Sequence, residues 1–319
     1  MRDHGGDTDA AVARYGAGDW LDLSTGINAR PYPMPELSSR ALTALPTRAE
    51  IDALKTIAQQ AYGASVRPVP LAGAQAAIQL VPRLARPGEA RILGPTYNEH
   101  AGALSAAGWR VSEVRETGAL EGADLAVVVN PNNPDGRRHD PARLRALSRR
   151  VRLLIVDESF ADPEPEVSLA GTLGAAEDRI VVLRSFGKFY GLAGLRLGFA
   201  ITGAALAVRL RSLAGPWAVS GPAIAAGCAA LGDAAWQAET RARLRADAAR
   251  LDAMVASAGW SLVGGTPLFR TYEVPDAAAA QDALARHLIW TRIFPYAPRW
   301  IRLGLPGDEA GWSRLQAAL

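Results

Sequence analysis

The sequence predicts an α/β protein: a large domain built on a mostly parallel sheet, followed by a smaller α+β domain. Three observations carry this expectation. Between about Val69 and Ile201, short β-branched runs alternate with helix-like stretches. Several of those runs are continuously apolar rather than alternating, as in strands buried on both faces of a sheet covered by helices. Beyond about Gly215 the texture changes to one long helical stretch followed by short strand candidates. At 319 residues and 49% hydrophobic, the chain can bury a substantial core.

Taken in order, residues 1–37 read as an arm, 38–214 as the large domain and 215–319 as the small one. The arm is rich in Gly, Pro and Asp, and composition alone leaves it with little structure of its own. Its start, Met1 to Ala10, is polar and acidic without an apolar stretch, so it does not read as a secretory signal. Glu50 to Tyr62 is helix-like. Ala126–Val129, Leu153–Val156 and Ile180–Leu183 are the buried strands, and Ala74–Leu84, Glu99–Ala107 and Pro141–Arg149 the intervening helices. Ala234–Ala258 is a long helix, with strand candidates after it at Leu268–Val274 and Trp300–Leu303. The weakly polar Val219–Leu231 is shorter than the ~20 residues a membrane span needs.

Charge and cysteine content narrow the function. The net charge of +3 is spread without a block of like sign, which argues against nucleic acid as partner. Cys228 is the single cysteine, cannot form an internal disulfide, and lacks histidines at metal-ligand spacing; no metal site is expected, and a reducing cytoplasm fits. Only Lys55 and Lys188 are lysine, so 33 of the 35 basic residues are arginine. Arginine serves wherever charge alone is wanted, but it cannot supply a neutral primary amine. Lys55 lies on a surface helix, which leaves Lys188 as the candidate nucleophile.

Three of the apolar strands end in polar clusters, where open α/β sheets place their ligand sites. These are Asn130-Pro131-Asn132-Asn133-Pro134, Asp157-Glu158-Ser159-Phe160 and Arg184-Ser185-Phe186-Gly187-Lys188. The stretch from Ser185 through Lys188 and Arg196 to Gly198 resembles the lysine signature of class I/II aminotransferase-fold enzymes, and the order of the Asn, Asp, Lys and Arg elements matches too.

The resemblance covers nearly the whole chain and implies the aspartate-aminotransferase fold, a homodimer and pyridoxal phosphate held as a Schiff base by Lys188. It further implies that Asp157 keeps the pyridine nitrogen protonated, that Asn133 bonds the ring oxygen, and that the Asn133–Pro134 bond is cis. The turn Gly73-Ala74-Gln75, Ser185 and Arg196 match the phosphate-binding elements, since phosphate needs helix-start amides and a fixed cation. Gly191, Gly194 and Gly198 would let the backbone pass close to the cofactor. Tyr97 matches the aromatic that stacks on the ring. Arg302, in Trp300-Ile301-Arg302-Leu303, matches the arginine that clamps the substrate carboxylate.

Within that superfamily, His4-Gly5-Gly6 and Leu21-Asp22-Leu23-Ser24-Thr25-Gly26-Ile27-Asn28 resemble the start of threonine-phosphate decarboxylases of cobalamin biosynthesis. In that family the arm lies over the active site. The resemblance implies that the protein decarboxylates L-threonine O-3-phosphate, with His4 and Asn28 as substrate contacts; Arg292 is a candidate second cation for the substrate phosphate or, equally, a rim salt-bridge residue. Three positions depart from the wider pattern: Phe160 replaces a tyrosine that bonds the ring oxygen, Leu45 replaces a phosphate-binding tyrosine of the partner subunit, and Gly26 replaces a polar residue. Loss of the hydroxyl at Phe160 fits the decarboxylases better than the aminotransferases. A histidinol-phosphate-type aminotransferase is the closest rival; a non-catalytic sensor domain would want an attached DNA-binding domain.

Overall fold

Asp7 accepts a hydrogen bond from the Ala10 amide and so starts a helix, Thr8–Tyr15, in the segment that composition leaves without structure. The computed structural model describes residues 4–319; Met1 to Asp3 of the arm lie outside the described residues. The two-residue strand β1 (Leu21–Asp22) follows that helix. The arm is ordered by what it touches rather than by propensity: Tyr15 donates to Asp282 at 2.9 Å and packs with Trp20 against Trp290. Helix Arg48–Ala61, expected from about Glu50, is opened by a reciprocal Thr47–Glu50 capping box.

The large sheet holds β2 (Val69–Leu71), β3 (Glu89–Leu93), β4 (Arg110–Val114), β5 (Leu125–Val129), β6 (Leu154–Asp157), β7 (Ile180–Ser185) and β8 (Gly198–Ile201). Its order is β2-β8-β7-β6-β5-β3-β4, and only β8 runs antiparallel to its neighbours. The continuous apolar runs at β5, β6 and β7 are explained by burial on both faces, each of which packs into its own core cluster. The helix expected over Ala74–Leu84 is α-helical only through Leu80 and finishes as a 3₁₀ turn, because Pro82 lacks the amide that another α-helical bond needs.

The C-terminal part carries β9 (Ser261–Thr266), β10 (Phe269–Glu273), β11 (Ile289–Trp290), β12 (Arg292–Phe294) and β13 (Ala297–Gly304). Four of these form an antiparallel sheet, β12-β13-β10-β9, beside the long helix Ala234–Ser257. The fifth, β11, pairs in parallel with β1, so the arm joins the C-terminal part by backbone hydrogen bonds. The apolar stretch near Val219 forms helix Gly221–Gly232, and among the described residues no helix is long and apolar enough to cross a membrane.

Candidate active site

The carboxyl ends of β3, β5, β6 and β7 open on one cavity, and all nine residues of the expected cofactor set line it: Gly73, Ala74, Gln75, Tyr97, Asn133, Asp157, Ser185, Lys188 and Arg196. Lys188 sits half-buried in the single helical turn Phe186–Phe189 that follows β7. A second cavity is lined by His4, Arg292 and Arg302 and shares Tyr97, Asn133, Phe160 and Lys188 with the first. Arg292 and Arg302 are register partners across β12 and β13. Like charges directly opposite one another are destabilising, so this pair suits an anionic ligand in the cavity it faces.

Asp157 is buried at the end of β6. Its Oδ2 accepts from His100 Nε2 at 2.8 Å, and its Oδ1 accepts from the Ser159 amide at 3.0 Å and hydroxyl at 2.5 Å. Burial alone would raise the carboxyl pKa, but His100 and the two Ser159 bonds outweigh it and hold the group below its ordinary value. The Lys188 ammonium is pushed down to about 8 by desolvation and by the Arg302 and Arg196 charges, with Asp157 opposing. Arg302 is lowered to about 10, by burial first and then by Arg292.

Neither His100 nor Ser159 was singled out from sequence. Ser159 had a readable signal, since a serine two residues after an aspartate commonly bonds its carboxylate locally. His100 had none, because periodicity places it on a helix without saying that the helix turns it toward β6.

At the other end of the cavity, helix Gly73–Leu80 begins with Ala72 at its cap and no side-chain hydrogen bond to its first amides. Free amides at a helix start are an anion site, and Arg196 and Ser185 stand on the same wall. Gly198 does not face the cofactor space; a Cβ there would lie 2.4 Å from the Ala74 amide nitrogen, so its bareness lets β8 lie against the start of this helix. Primary amine, buried carboxylate and helix-start amides together fit pyridoxal phosphate. The Asn133–Pro134 peptide is cis, as the resemblance implies.

Arg302 Nη2 donates to the Ser24 carbonyl at 2.6 Å and Nη1 to Asn133 Oδ1, while its buried Nε has no partner among the described residues. Asn28, expected at the substrate, is placed elsewhere. It is buried, takes the Lys188 carbonyl with its amide at 2.9 Å and the Phe189 carbonyl with Nδ2 at 2.9 Å, and accepts from Arg243 at 3.0 Å. With its hydrogen-bonding groups so engaged, it braces the lysine segment and is not among the described residues lining either cavity. The departure at Gly26 has a packing cause: a Cβ would lie 2.8 Å from both Phe160 and Phe269, whose rings meet edge to face at 4.9 Å. Leu45 is 62% exposed.

The chain was compared with known proteins. It is 46% identical over its full length to a threonine-phosphate decarboxylase of Pseudomonas aeruginosa, covering 97% of that protein. It is 44% identical over 99% of its length to a threonine-phosphate decarboxylase of Sinorhizobium sp, again covering 97% of it. Among solved structures, histidinol-phosphate aminotransferase from Sinorhizobium meliloti in complex with pyridoxal-5'-phosphate superposes with a TM-score of 0.81 at 20% identity, over 100% of this chain and 94% of that one. That likeness shows the fold. Residues 23–319 match the model for aminotransferase class I and II, and the chain belongs to that family.

Proposed function

We propose that the protein removes carbon dioxide from L-threonine O-3-phosphate to give (R)-1-amino-2-propanol O-2-phosphate, using pyridoxal phosphate held on Lys188. The geometric support is the Arg292–Arg302 pair opening on the same space as Lys188, which offers cations for two anionic groups of one substrate. The full-length similarity to two threonine-phosphate decarboxylases favours decarboxylation over amino transfer.

When bound, the cofactor supplies a conjugated ring that takes up the electron pair left at the substrate α-carbon. The chain's own residues do the rest. Asp157, kept ionised by His100 and Ser159, would pair with the ring nitrogen and favour its protonated form. Arg302, fixed by Ser24 and Asn133, orients the substrate carboxylate. Lys188, with its lowered pKa, is the amine that can deliver a proton to the α-carbon once carbon dioxide has left. Arg292 and His4 receive the substrate phosphate.

The same reading divides the chain near residues 37 and 214 and makes the protein a cytoplasmic homodimer. It also sends the product to the corrinoid side chain of cobalamin. The division is supported by the two larger sheets, which fall within 69–201 and 261–304, and the dimer by exposed Leu42, Leu45 and Trp217. The experiment is product identification: phosphothreonine is expected to yield carbon dioxide and the amino alcohol phosphate with no keto acid consumed. Stoichiometric turnover of 2-oxoglutarate with histidinol phosphate would replace this reading with an aminotransferase.

A further inference from the structure

Behind the walls of the two cavities, bonded to Gln75 of one and His4 of the other, lies a carboxylate that the proposed function does not use. Glu99, at the start of helix Glu99–Ala106, is only 8% exposed. An acid group buried beside an anion site is unfavourable in isolation, so its partners have to account for it. Glu99 Oε1 accepts from His4 Nε2 at 3.0 Å, and Oε2 accepts from Gln75 Nε2 at 2.7 Å. Gln75 belongs to the turn at the cofactor-phosphate end, and its Oε1 in turn accepts from the Tyr97 hydroxyl at 3.4 Å. One continuous set of hydrogen bonds therefore runs from the arm through Glu99 to the phosphate turn and the ring-stacking tyrosine.

The arm is held independently on its other side. The Gly6 amide donates to Ser24 Oγ at 2.7 Å, and Gly5 lies so close to the Ser24 carbonyl that a Cβ would approach its oxygen to 2.3 Å. That same carbonyl receives Arg302 Nη2. His4 thus hangs between the arginine that orients the carboxylate and the turn that holds the cofactor phosphate, with its ring centroid 5.9 Å from that of Tyr97.

We propose that Glu99 is a positioning residue for substrate-phosphate recognition: by bridging Gln75 and His4 it sets the imidazole at the substrate cavity and makes docking of the arm depend on the cofactor-phosphate turn. The identity of the phosphate that His4 meets rests on the decarboxylase reading; the bridge between arm and turn does not.

The test uses the holoenzyme and two readouts. Losing one charge-assisted hydrogen bond is worth about tenfold, so Glu99→Ala should speed amide hydrogen exchange over residues 4–16 about tenfold while β5, β6 and β7 exchange as before. The same variant should raise KM for phosphothreonine about tenfold, with kcat falling by less. In the arm, His4→Ala combined with Glu99→Ala should exchange no faster than His4→Ala alone, since each variant breaks the same His4–Glu99 bond. Glu99→Gln, which keeps an acceptor at the same place, should restore part of both effects, and it is the variant to measure if Glu99→Ala fails to fold. Wild-type exchange in the arm of the Glu99 variants, or His4 and Glu99 effects that multiply, would overturn the proposal. If the wild-type enzyme itself leaves phosphothreonine untouched, the decarboxylase reading fails, and the exchange measurement still decides the bridge.

Discussion

A half-buried lysine between two guanidinium groups reacts on a different schedule from one in water. The Lys188 pKa of about 8 leaves roughly a tenth of the amine neutral at pH 7, against far less for an ordinary lysine. The neutral amine is the nucleophile, and its fraction grows as pH rises through the pKa. Capture of pyridoxal phosphate by the apo-protein, followed by absorbance after rapid mixing, should therefore accelerate with pH through about 8 and then level off. Replacing Arg302 by Met should move that midpoint upward, because one of the repelling charges is gone. A wild-type midpoint near 10 would remove the electrostatic account. Lys188 was legible before any fold was known, since a chain that uses arginine almost everywhere else keeps it. His100 was not, because the neighbour that gives it a role, Asp157, lies 57 positions away in sequence.

The elements that hold the site were readable where one physical rule dominates. β5, β6 and β7 are buried on both faces, so they stay apolar until their carboxyl ends, and their limits fall within two residues of the expected ones. β4 carries exposed, mixed side chains at the sheet edge and left no such trace. Between β6 and β7 lies a buried fastening that sequence did not announce. Arg184 donates to Glu158 at 3.1 Å and to Asp162 at 2.6 Å, under the ring of Tyr62. It ties the end of β6, which carries Asp157, to the end of β7, just before Lys188. Arg184→Met leaves two carboxylates buried without their cation and should destabilise the apo-protein by about 3–5 kcal/mol in urea unfolding. A loss below about 1 kcal/mol would mean that water already serves these groups.

At the scale of the molecule, large apolar side chains at Leu42, Leu45 and Trp217 remain in solvent, each more than half exposed. We propose that a homodimer interface covers them. Sedimentation of the holoenzyme should give twice the chain mass, and Leu45→Glu, which puts a charge into that contact, should weaken association about tenfold or more. A wild-type monomer at micromolar concentration would dismiss the dimer. The arm is the part of the whole where composition misleads: its many glycines, prolines and acids say nothing of Trp290 or Asp282, which give it structure from the far end of the chain.

That pairing of Leu21 with Ile289 has a consequence in time. Strand β1 must wait for β11, which is made about 270 residues later, before it can pair. The large sheet can assemble largely from neighbours in sequence, but the arm is tied to the C-terminal part only after β11 has been made. The residues that line the first cavity, all between 73 and 197, are therefore in place before the arm is held at the second.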